Sequence, residues 1–264
     1  MVENVLGYSI YANGRWACID DIFKRITNGC EKTWLACLNP HSYVVALKDK
    51  LFEKALNNVN WLVPDGVGIV YASKTLGGGI SERITGSDIY FGLLERMNKC
   101  GNMSVFFLGS TEETLAVIRE RIAIDYSNIY LAGTYSPPYK DNYTEEELSE
   151  MIEAVNSVKP DVLWVGMTAP KQEKWIANNI SRLNVRFIGA IGAVFDFYAG
   201  KVKRSKPVFQ RLGLEWLPRL INEPKRLWRR TFVSAPIFIL HTGHEKIRLG
   251  IKGTLNKMTY QKSW

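Results

Sequence analysis

The feature that most constrains this fold is an alternation of short apolar runs with amphipathic stretches between Trp34 and Ala190. The apolar runs predict six strands, at Trp34–Leu38, Trp61–Val63, Val105–Leu108, Ile129–Ala132, Val162–Val165 and Phe187–Ala190. The stretches between them predict helices near His41–Asn57, Val67–Leu76, Ser87–Lys99, Glu112–Ile124, Thr144–Ser157 and Lys171–Arg182. This order predicts an α/β fold with a Rossmann-like, mainly parallel sheet that has helices on both faces.

The pattern changes near Ala199, after which the chain reads as helices punctuated by prolines. Residues 201–264 carry 15 Lys and Arg against 3 Asp and Glu, a net charge of +12, whereas the first 200 residues carry −4. We therefore predict an α/β domain over residues 1–199, which carries the chemistry, and a helical basic appendage over residues 200–264. The charge asymmetry indicates an anionic partner for the appendage, either nucleic acid or anionic lipid.

Cysteine usage and hydropathy bear on the cellular compartment. The four cysteines, Cys18, Cys30, Cys37 and Cys100, form no C-x-x-C pair, as is typical of reduced cytosolic proteins. No basic segment followed by an apolar stretch marks a secretory signal. The longest apolar run, Phe232–Leu240, is shorter than the roughly 20 residues that a membrane span needs. These features predict a cytoplasmic protein that does not cross a bilayer, although it can sit on one.

The polar residues that follow the predicted strands are the site candidates, because ligands of open parallel sheets bind beyond the carboxyl ends of the strands. Asn39 follows the first strand, and it either contacts a ligand or caps the helix that begins at Pro40. Asp65, in the segment Pro64-Asp65-Gly66, either caps the next helix or acts as a base on a bound hydroxyl. Gly66 permits close approach of a ligand to the backbone.

Two further segments suit an anionic ligand. Arg83 and Thr85 can contact a phosphate, with Ser87 or Asp88 capping the helix that follows. A guanidinium donates two parallel hydrogen bonds to such a group, and the alternative for Arg83 is a solvated side chain. Gln172 lies in the first turn of a later helix, and helix N-termini bind anions through their free N–H groups.

Glycine turns follow three strands, at Gly109, Gly166 and Gly192, and each could receive a nucleotide. None is a G-x-G-x-x-G or Walker A motif, which argues against a standard NAD enzyme or P-loop ATPase. The sequence has no Asp-x-Asp motif, and His41 lies far from the other two histidines. We therefore predict neither a metal site nor a cofactor.

Taken together, the motifs resemble those of one family. They are Asn39-Pro40, Pro64-Asp65-Gly66, Glu82-Arg83-Ile84-Thr85-Gly86-Ser87-Asp88, Phe107-Leu108-Gly109, Gly133-Thr134-Tyr135-Ser136-Pro137-Pro138, the segment from Ala169 to Trp175, the segment from Gly192 to Gly200, and the segment from Gly213 to Leu220. From about Trp34 to Phe238 the chain resembles the WecG/TagA/CpsF family, glycosyltransferase family 26.

The resemblance implies an inverting, metal-independent transfer of a sugar, often an N-acetylmannosamine-type residue, from a UDP donor. The implied acceptor is a polyprenyl-diphosphate-linked sugar, in the synthesis of teichoic acid, capsule or another bacterial surface polysaccharide. By matching position, Asp65 is the proposed base, and Asn39, Arg83 and Gln172 belong to the donor and reaction pocket. Asp196 matches a residue near the uracil.

The shared motifs also imply substrate-binding roles for other residues. These candidates are Cys37, Thr85, Gly109, Tyr135, Gly166 and Gly192. A single displacement needs one carboxylate base, together with positive charge for the leaving UDP. Asp65, Arg83, helix N-termini and the C-terminal arginines meet this need without a metal.

Cys37 departs from the family pattern, which commonly has threonine at this position of a Thr-x-Asn sequence. Cysteine is a weak hydrogen-bond donor and acceptor, so a substrate contact is altered here. Thr168 and Ala169 likewise replace a more usual Gly-Ala or Gly-Ser pair. The identities of the donor and acceptor sugars therefore stay open. So does the alternative that the chain is a non-catalytic nucleotide-binding adaptor at the membrane.

Arginines and aromatic residues cluster in the appendage. Arg226, Arg229 and Arg230 share a helical face, and Arg219 lies one heptad before Arg226. This composition is typical of an interfacial amphipathic element, and the alternative is the solvated face of ordinary helices. The resemblance implies that Arg219, Arg226 and Arg229 reach the acceptor diphosphate at the inner face of the bacterial plasma membrane. No nucleic-acid motif is present, and a homo-oligomer stays open.

Overall fold

The structure is a computed structural model that describes residues 1–29, 32–202 and 228–261. An antiparallel hairpin, β1 (Val2–Val5) and β2 (Tyr8–Tyr11), opens the chain. The central sheet has six strands, β3 (Thr33–Leu38), β4 (Trp61–Pro64), β5 (Met103–Gly109), β6 (Ile129–Tyr135), β7 (Val162–Gly166) and β8 (Phe187–Ala190). All pairs in this sheet are parallel, and the spatial order is β4-β3-β8-β7-β5-β6. The six predicted strands are confirmed.

Helices connect the strands and follow the sheet. They are α1 (Arg15–Thr27), α2 (Pro40–Ala46), α3 (Lys50–Asn57), α4 (Val67–Leu76), α5 (Gly86–Cys100), α6 (Glu112–Asp125), α7 (Glu145–Asn156), α8 (Lys171–Asn179), α9 (Val194–Tyr198) and α10 (Ala235–Gln261). A 3₁₀ turn, Ile180–Arg182, extends α8, and a π-helical turn, Arg230–Ser234, leads into α10. Among the described helices, none combines the length and the apolarity that a membrane crossing requires.

Two buried clusters, one on each face of the sheet, form the core. Phe106 and Phe107 are successive residues of β5, and they point into different clusters. One cluster is covered by α2, α3, α4, α7 and α8, and the other by α1, α5, α6 and α9. Strands buried on both faces read as continuous apolar runs, which is why the sequence predicts them well. The α/β class with helices on both faces of a parallel sheet is confirmed.

Four parts of the chain depart from the sequence prediction. The single helix predicted over His41–Asn57 is wrong, because Asp49 starts a new helix by accepting a hydrogen bond from the N–H of Phe52 at 3.0 Å. The hairpin β1–β2 was not predicted; its two-residue turn holds Leu6 at φ 53° and Gly7 at φ 91°. Leucine rarely adopts this conformation, so the usual turn signal is missing. The short helix α9 and the helix α1 were not predicted either.

The C-terminal helix α10 packs on α2 and α4. Phe238 belongs to the buried core, and its ring centroid lies 5.3 Å from that of Tyr43. His41 Nδ1 lies 2.9 Å from Ser234 Oγ, and the Tyr43 hydroxyl lies 3.0 Å from His241 Nδ1. The described part of the predicted appendage therefore lies against the helices that begin after β3 and β4. The boundary between residues 199 and 200 stays a prediction.

Candidate active site

Asn39 and Asp65 lie side by side at the carboxyl ends of β3 and β4. The strands pair with Leu38 opposite Pro64, so the next residue of each strand lies at the same edge of the sheet. The N–H of Asp65 donates to the Leu38 carbonyl at 2.8 Å. A Cβ built on Gly66 would lie 3.9 Å from the Cβ of Asn39. The fold therefore brings the first two predicted site residues together.

The side chain of Asn39 also caps α2. Its Oδ1 accepts from the N–H groups of His41 and Ser42, each at 3.0 Å, and the Ser42 hydroxyl accepts from the N–H of Asn39 at 2.8 Å. Asn39 thus caps α2, as one of the two predicted alternatives stated, and it does so with its amide oxygen. Donation to a ligand is left to the Nδ2 group. At the next strand, Gly66 rather than Asp65 is the N-cap of α4.

Arg83 is held beside Asp65 by the backbone. The N–H of Ile84 donates to the carbonyl of Pro64 at 2.9 Å, so the segment that carries Arg83 runs along the end of β4. Ile84 is buried in the core, which anchors this segment, and Arg83 is half-buried. A carboxylate and a guanidinium thus come from adjacent segments at one edge of the sheet.

Thr85 begins α5 as its N-cap, and the predicted capping by Asp88 is confirmed, because Asp88 completes a capping box with Thr85; Ser87 is not the N-cap. The Thr85 hydroxyl accepts from the N–H of Asp88 at 3.2 Å. In return, the Asp88 carboxylate accepts from the N–H and the hydroxyl of Thr85 at 2.9 and 2.7 Å. Arg15 donates to the same carboxylate at 3.3 Å. The proton of the Thr85 hydroxyl is therefore engaged with Asp88. The contact of Thr85 with a phosphate stays a prediction.

Gln172 joins the turns that follow β7 and β8. Its side chain is 4% exposed, and its Oε1 accepts from the N–H groups of Met167 and Gly192 at 3.2 and 3.1 Å. Met167 is the first residue after β7, and Gly192 is the second after β8. Gln172 therefore sets the spacing of two glycine turns that were predicted to receive a nucleotide.

The sequence analysis missed Glu173, the neighbour of Gln172. Glu173 is 2% exposed, its Oε1 accepts from the Nε2 of Gln172 at 2.9 Å, and its buried Oε2 has no hydrogen-bond partner among the described residues. Burial raises the pKa of Glu173 to about 7, although the hydrogen bond from Gln172 opposes this effect. The sequence held one indication that Glu173 is buried. It lies one helical turn before the core residue Ile176, and therefore on the same face of α8.

Cys37 lies near both carboxyl groups. It is a partly buried residue of β3 and pairs with Val63 of β4. Burial raises the pKa of the Cys37 thiol well above its usual range, and the charges of Asp65 and Glu173 raise it further. The thiol is therefore protonated at neutral pH, and the two carboxyl groups are close enough to act on the same sulfur.

Gly109 and Gly166 border a crevice between β5 and β7. The chain leaves β5 toward β6 on one side and leaves β7 toward β8 on the other, which makes this crevice a topological switch point. Gly109 has φ 115°, and a Cβ there would lie 2.5 Å from the carbonyl oxygen of Gly166. Only glycine fits this position, because the backbone of Gly166 already fills the space that a Cβ would need.

Asp196 and Tyr135 lie farther from Asp65. Asp196 is in α9, whose Phe195 borders Gly166. Tyr135 ends β6, the edge strand, and its hydroxyl donates to a glutamate of α7 at 3.2 Å. Since β4 and β6 are five strand spacings apart, Tyr135 lies on the order of 24 Å from Asp65. The fold brings together Asp65, Asn39 and Arg83, but not Tyr135.

The predicted acceptor-binding arginines fall mostly outside the described residues. Arg219 and Arg226 are in residues 203–227, outside the described part of the chain. Arg229 is described, and it is exposed just before the π-helical turn. The next residue, Arg230, is half-buried near His41.

This edge of the sheet combines a carboxylate, an amide and a guanidinium with two helix ends, of α4 and α8, that no side chain of the described residues caps. The N–H of Lys171 donates to the Thr168 carbonyl at 2.9 Å, and that of Ile69 donates to the Gly66 carbonyl at 3.2 Å. The remaining N–H groups of these first turns can face an anion. Asp65 can remove a proton from a bound hydroxyl. Arg83 and the helix ends can stabilise an anionic leaving group.

Comparison with known proteins agrees with this chemistry. A family model described as the glycosyl transferase WecG/TagA/CpsF family matches residues 3–251. Three similar proteins are each named N-acetylglucosaminyldiphosphoundecaprenol N-acetyl-beta-D-mannosaminyltransferase. Those of Bacillus spizizenii and Bacillus subtilis are 30% and 31% identical, over 78% of this chain and 77% of their own length. That of Staphylococcus aureus is 27% identical over 82% of both chains.

Proposed function

This chain belongs to the WecG/TagA/CpsF family of glycosyl transferases, and we propose that it moves an N-acetylmannosaminyl or closely related hexosaminyl group from UDP. The proposed acceptor is N-acetylglucosamine linked to undecaprenyl diphosphate, as the names of the similar proteins give for them. The product is then a lipid-linked disaccharide for teichoic acid or another surface polysaccharide.

One observation carries the proposal: the segments that carry Asn39, Asp65 and Arg83 lie together at the ends of β3 and β4. The hydrogen bonds from Asp65 N–H to Leu38 and from Ile84 N–H to Pro64 hold Asn39, Asp65 and the Arg83 segment at one edge. A sugar transfer needs a base and positive charge within reach of one anomeric carbon. This grouping supports that requirement.

The proposed reaction is a single displacement. Asp65 takes the proton of the acceptor hydroxyl while that oxygen bonds to the anomeric carbon of the donor. The bond from this carbon to the β-phosphate oxygen breaks, and its electron pair leaves with UDP. Arg83 and the N-termini of α4 and α8 stabilise the negative charge that develops on the diphosphate. Attack opposite to the leaving group inverts the anomeric configuration.

The donor is proposed to lie along the carboxyl edge of the sheet. Its uridine end occupies the crevice of Gly109 and Gly166, with Asp196 near the uracil, and its sugar points toward Asp65. The β4 and β7 strands are three spacings apart, about 14 Å. The Nδ2 group of Asn39 is placed to donate to the sugar or to the acceptor.

The acceptor is proposed to reach the site from a membrane surface along α10. One face of the C-terminal helical segment is buried against the domain, through Ser234, Phe238 and Thr242. The other face exposes five large apolar side chains, Phe232, Ile239, Leu240, Ile247 and Ile251. An apolar stripe flanked by Arg229, Lys246 and Arg248 suits an anionic bilayer, and supports a peripheral position on the inner face of the plasma membrane.

The direct test is transfer from a panel of UDP-sugars to a short-chain lipid-diphosphate N-acetylglucosamine, with the product identified by mass spectrometry. We expect a disaccharide product from UDP-N-acetylmannosamine, formed equally well with and without EDTA. UDP binding without transfer from any donor would instead support the adaptor alternative. Loss of turnover in EDTA that added Mg²⁺ restores would contradict the metal-independent mechanism, which stays a prediction.

A further inference from the structure

We propose that Glu173 is a positioning residue for the sugar transfer, whose carboxyl group orients the side-chain amide of Gln172 and thereby fixes the turns after β7 and β8. The inference rests on the proposed function for its role in turnover. The coupling of the two neighbouring side chains does not depend on that function, and it can be measured without substrate.

Its hydrogen-bond partners fix the orientation of the Gln172 amide. Its oxygen accepts from two backbone donors, the N–H groups of Met167 and Gly192. In the reversed orientation, the NH2 group would face these two N–H donors. The NH2 group and both backbone N–H groups would then have no acceptor. In the observed orientation the NH2 group needs an acceptor of its own, and the Oε1 of Glu173 supplies it at 2.9 Å. Glu173 therefore selects the orientation that ties the two turns together.

The two carboxyl oxygens of Glu173 lie in different environments. The Oε2 atom is buried without a hydrogen-bond partner among the described residues, which is costly for a carboxylate. Charge on this group is therefore disfavoured, and the pKa of Glu173 is raised to about 7. When Oε2 carries a proton, Oε1 still accepts from Gln172. The contact between the two side chains thus survives protonation, while the charge of the pocket changes.

A charged Glu173 would lie near the reaction site, because the charges of Asp65 and Glu173 both act on the Cys37 thiol of β3. The next residue of α8, Lys174, forms a 2.8 Å ion pair with Asp49, the N-cap of α3. A neutral Glu173 leaves Asp65 as the negative charge of the reaction site. A charged Glu173 adds a second one near an anionic nucleotide. Donor binding should therefore weaken as the pH rises through about 7.

The experiment uses the full-length protein and measures kcat and KM for the UDP-sugar between pH 5.5 and 9. The variants are Glu173→Gln, Glu173→Leu, Gln172→Met and the double variant of the last two. Glu153→Gln, an exposed carboxyl on α7, is the matched control and should behave as wild type. Thermal unfolding verifies that each variant is folded, and the isosteric Glu173→Gln keeps the test open if Glu173→Leu does not fold.

We expect Glu173→Gln to keep kcat within about threefold of wild type, because its amide oxygen still accepts from Gln172, and to abolish the rise of KM above pH 7. Glu173→Leu should lower kcat/KM by about 10- to 100-fold, since the Gln172 NH2 group loses its acceptor. In a protein that already carries Gln172→Met, Glu173→Leu should lower kcat/KM by less than about threefold. An equal loss in both backgrounds, or a KM profile unchanged in Glu173→Gln, would overturn the proposal.

A measurement without substrate separates this inference from the proposed function. The ¹⁵N–¹H signals of the Gln172 side-chain NH2 group, assigned by their loss in Gln172→Met, should shift with a midpoint near pH 7. The shift should be absent in Glu173→Gln. Signals that do not respond to pH in the wild type would refute the coupling of the two side chains. Absence of transfer from every donor, with the NMR shift present, would instead refute the proposed function alone.

Discussion

At the scale of single residues, Asn39 serves both the fold and the proposed reaction, because the two ends of its amide face different partners. The oxygen caps α2, and the amino group is left for a ligand. Serine is as good an N-cap as asparagine but has no amino group. The two roles can therefore be separated by one substitution.

We predict that the free energy of unfolding of Asn39→Ser lies within a few tenths of a kcal/mol of the wild-type value. In Asn39→Ala it should be about 1 kcal/mol lower, because the N-cap of α2 is lost. Both variants should lose about tenfold in kcat/KM, the value of one hydrogen bond to a substrate. Denaturant unfolding and steady-state kinetics on the same preparations measure the two effects. Full activity in Asn39→Ser would show that the amide only caps the helix.

The Asp65→Asn variant tests the proposed base. The amide keeps the shape of the carboxylate but cannot take a proton, so kcat should fall by about 100- to 10,000-fold. The affinity for UDP, measured by calorimetry, should stay within about threefold. Asp21→Asn, a change of an exposed aspartate on α1, is the control and should leave turnover unchanged. Undiminished kcat in Asp65→Asn would remove this residue as the base.

The sequence could reveal Asp65 and Asn39 because both directly follow apolar strands, and the ends of parallel strands meet at one edge. It could not reveal Glu173 in the same way. The burial of that carboxyl depends on how α8 packs against distant parts of the chain, which a local pattern does not encode. The N-cap of α5 was not assigned to Thr85 for a similar reason, because Thr85, Ser87 and Asp88 are all suitable capping residues.

At the scale of elements, the helix α10 presents two apolar faces, one of which packs on the domain. A Cβ at Gly68 of α4 would lie 2.5 Å from the Cγ of Pro40 and 3.8 Å from the ring of Phe238. The N-terminal turns of α2 and α4 therefore pack closely against each other, with α10 beside them. Docking of α10 thus helps to hold in place the starts of α2 and α4, which lie next to Asn39 and Asp65.

The exposed face of α10 should carry membrane binding. Burial of a leucine or isoleucine side chain in an apolar phase contributes about 1.5–3 kcal/mol. The double variant Leu240→Ser with Ile247→Ser should therefore bind anionic liposomes at least about tenfold more weakly in a flotation assay. Ile124→Ser removes an equally exposed isoleucine from α6 and should bind like wild type. Equal binding of all three proteins would contradict this assignment.

The docked face of α10 should be sensitive to acid through His41. Burial, and then the nearby charge of Arg230, lower the pKa of His41 below its usual value of 6.5. The folded state thus binds this proton less readily than the unfolded chain, so stability is full above about pH 6.5 and falls as the pH drops through the folded pKa. The Tm of wild type should fall more between pH 7.5 and 5.5 than that of His41→Asn. An identical fall in both proteins would contradict the prediction, and His244→Asn, at an exposed site, should behave as wild type.

Element prediction succeeded or failed for identifiable reasons. Strands buried on both faces are recognisable as continuous apolar runs, whereas β1 is largely exposed and joins β2 through a turn with Leu6 at φ 53°. The break between α2 and α3 depends on one side chain, Asp49, in an otherwise continuous helical pattern. The strand order could not be obtained from the sequence, because parallel neighbours such as β3 and β8 lie far apart along the chain.

At the scale of the whole molecule, charge and chemistry are divided along the chain. The first 200 residues carry a net charge of −4 and form the sheet edge with Asp65, while residues 201–264 carry +12 and include α10. In the proposed function, the soluble nucleotide sugar lies in the crevice of the sheet. The lipid-linked acceptor lies at the basic and apolar side, along α10. Transfer occurs where the two meet, at the ends of β3 and β4.

The central claim, an inverting transfer at this edge, is tested most directly by the anomeric configuration of the product. The one-bond carbon–hydrogen coupling at C1 of the transferred sugar distinguishes the two anomers in an NMR spectrum of the purified lipid-linked disaccharide. Starting from the α-linked UDP donor, we predict a β-linked product from the wild-type protein, formed about 100- to 10,000-fold more slowly by Asp65→Asn. An α-linked product would contradict the single displacement with Asp65 as its base.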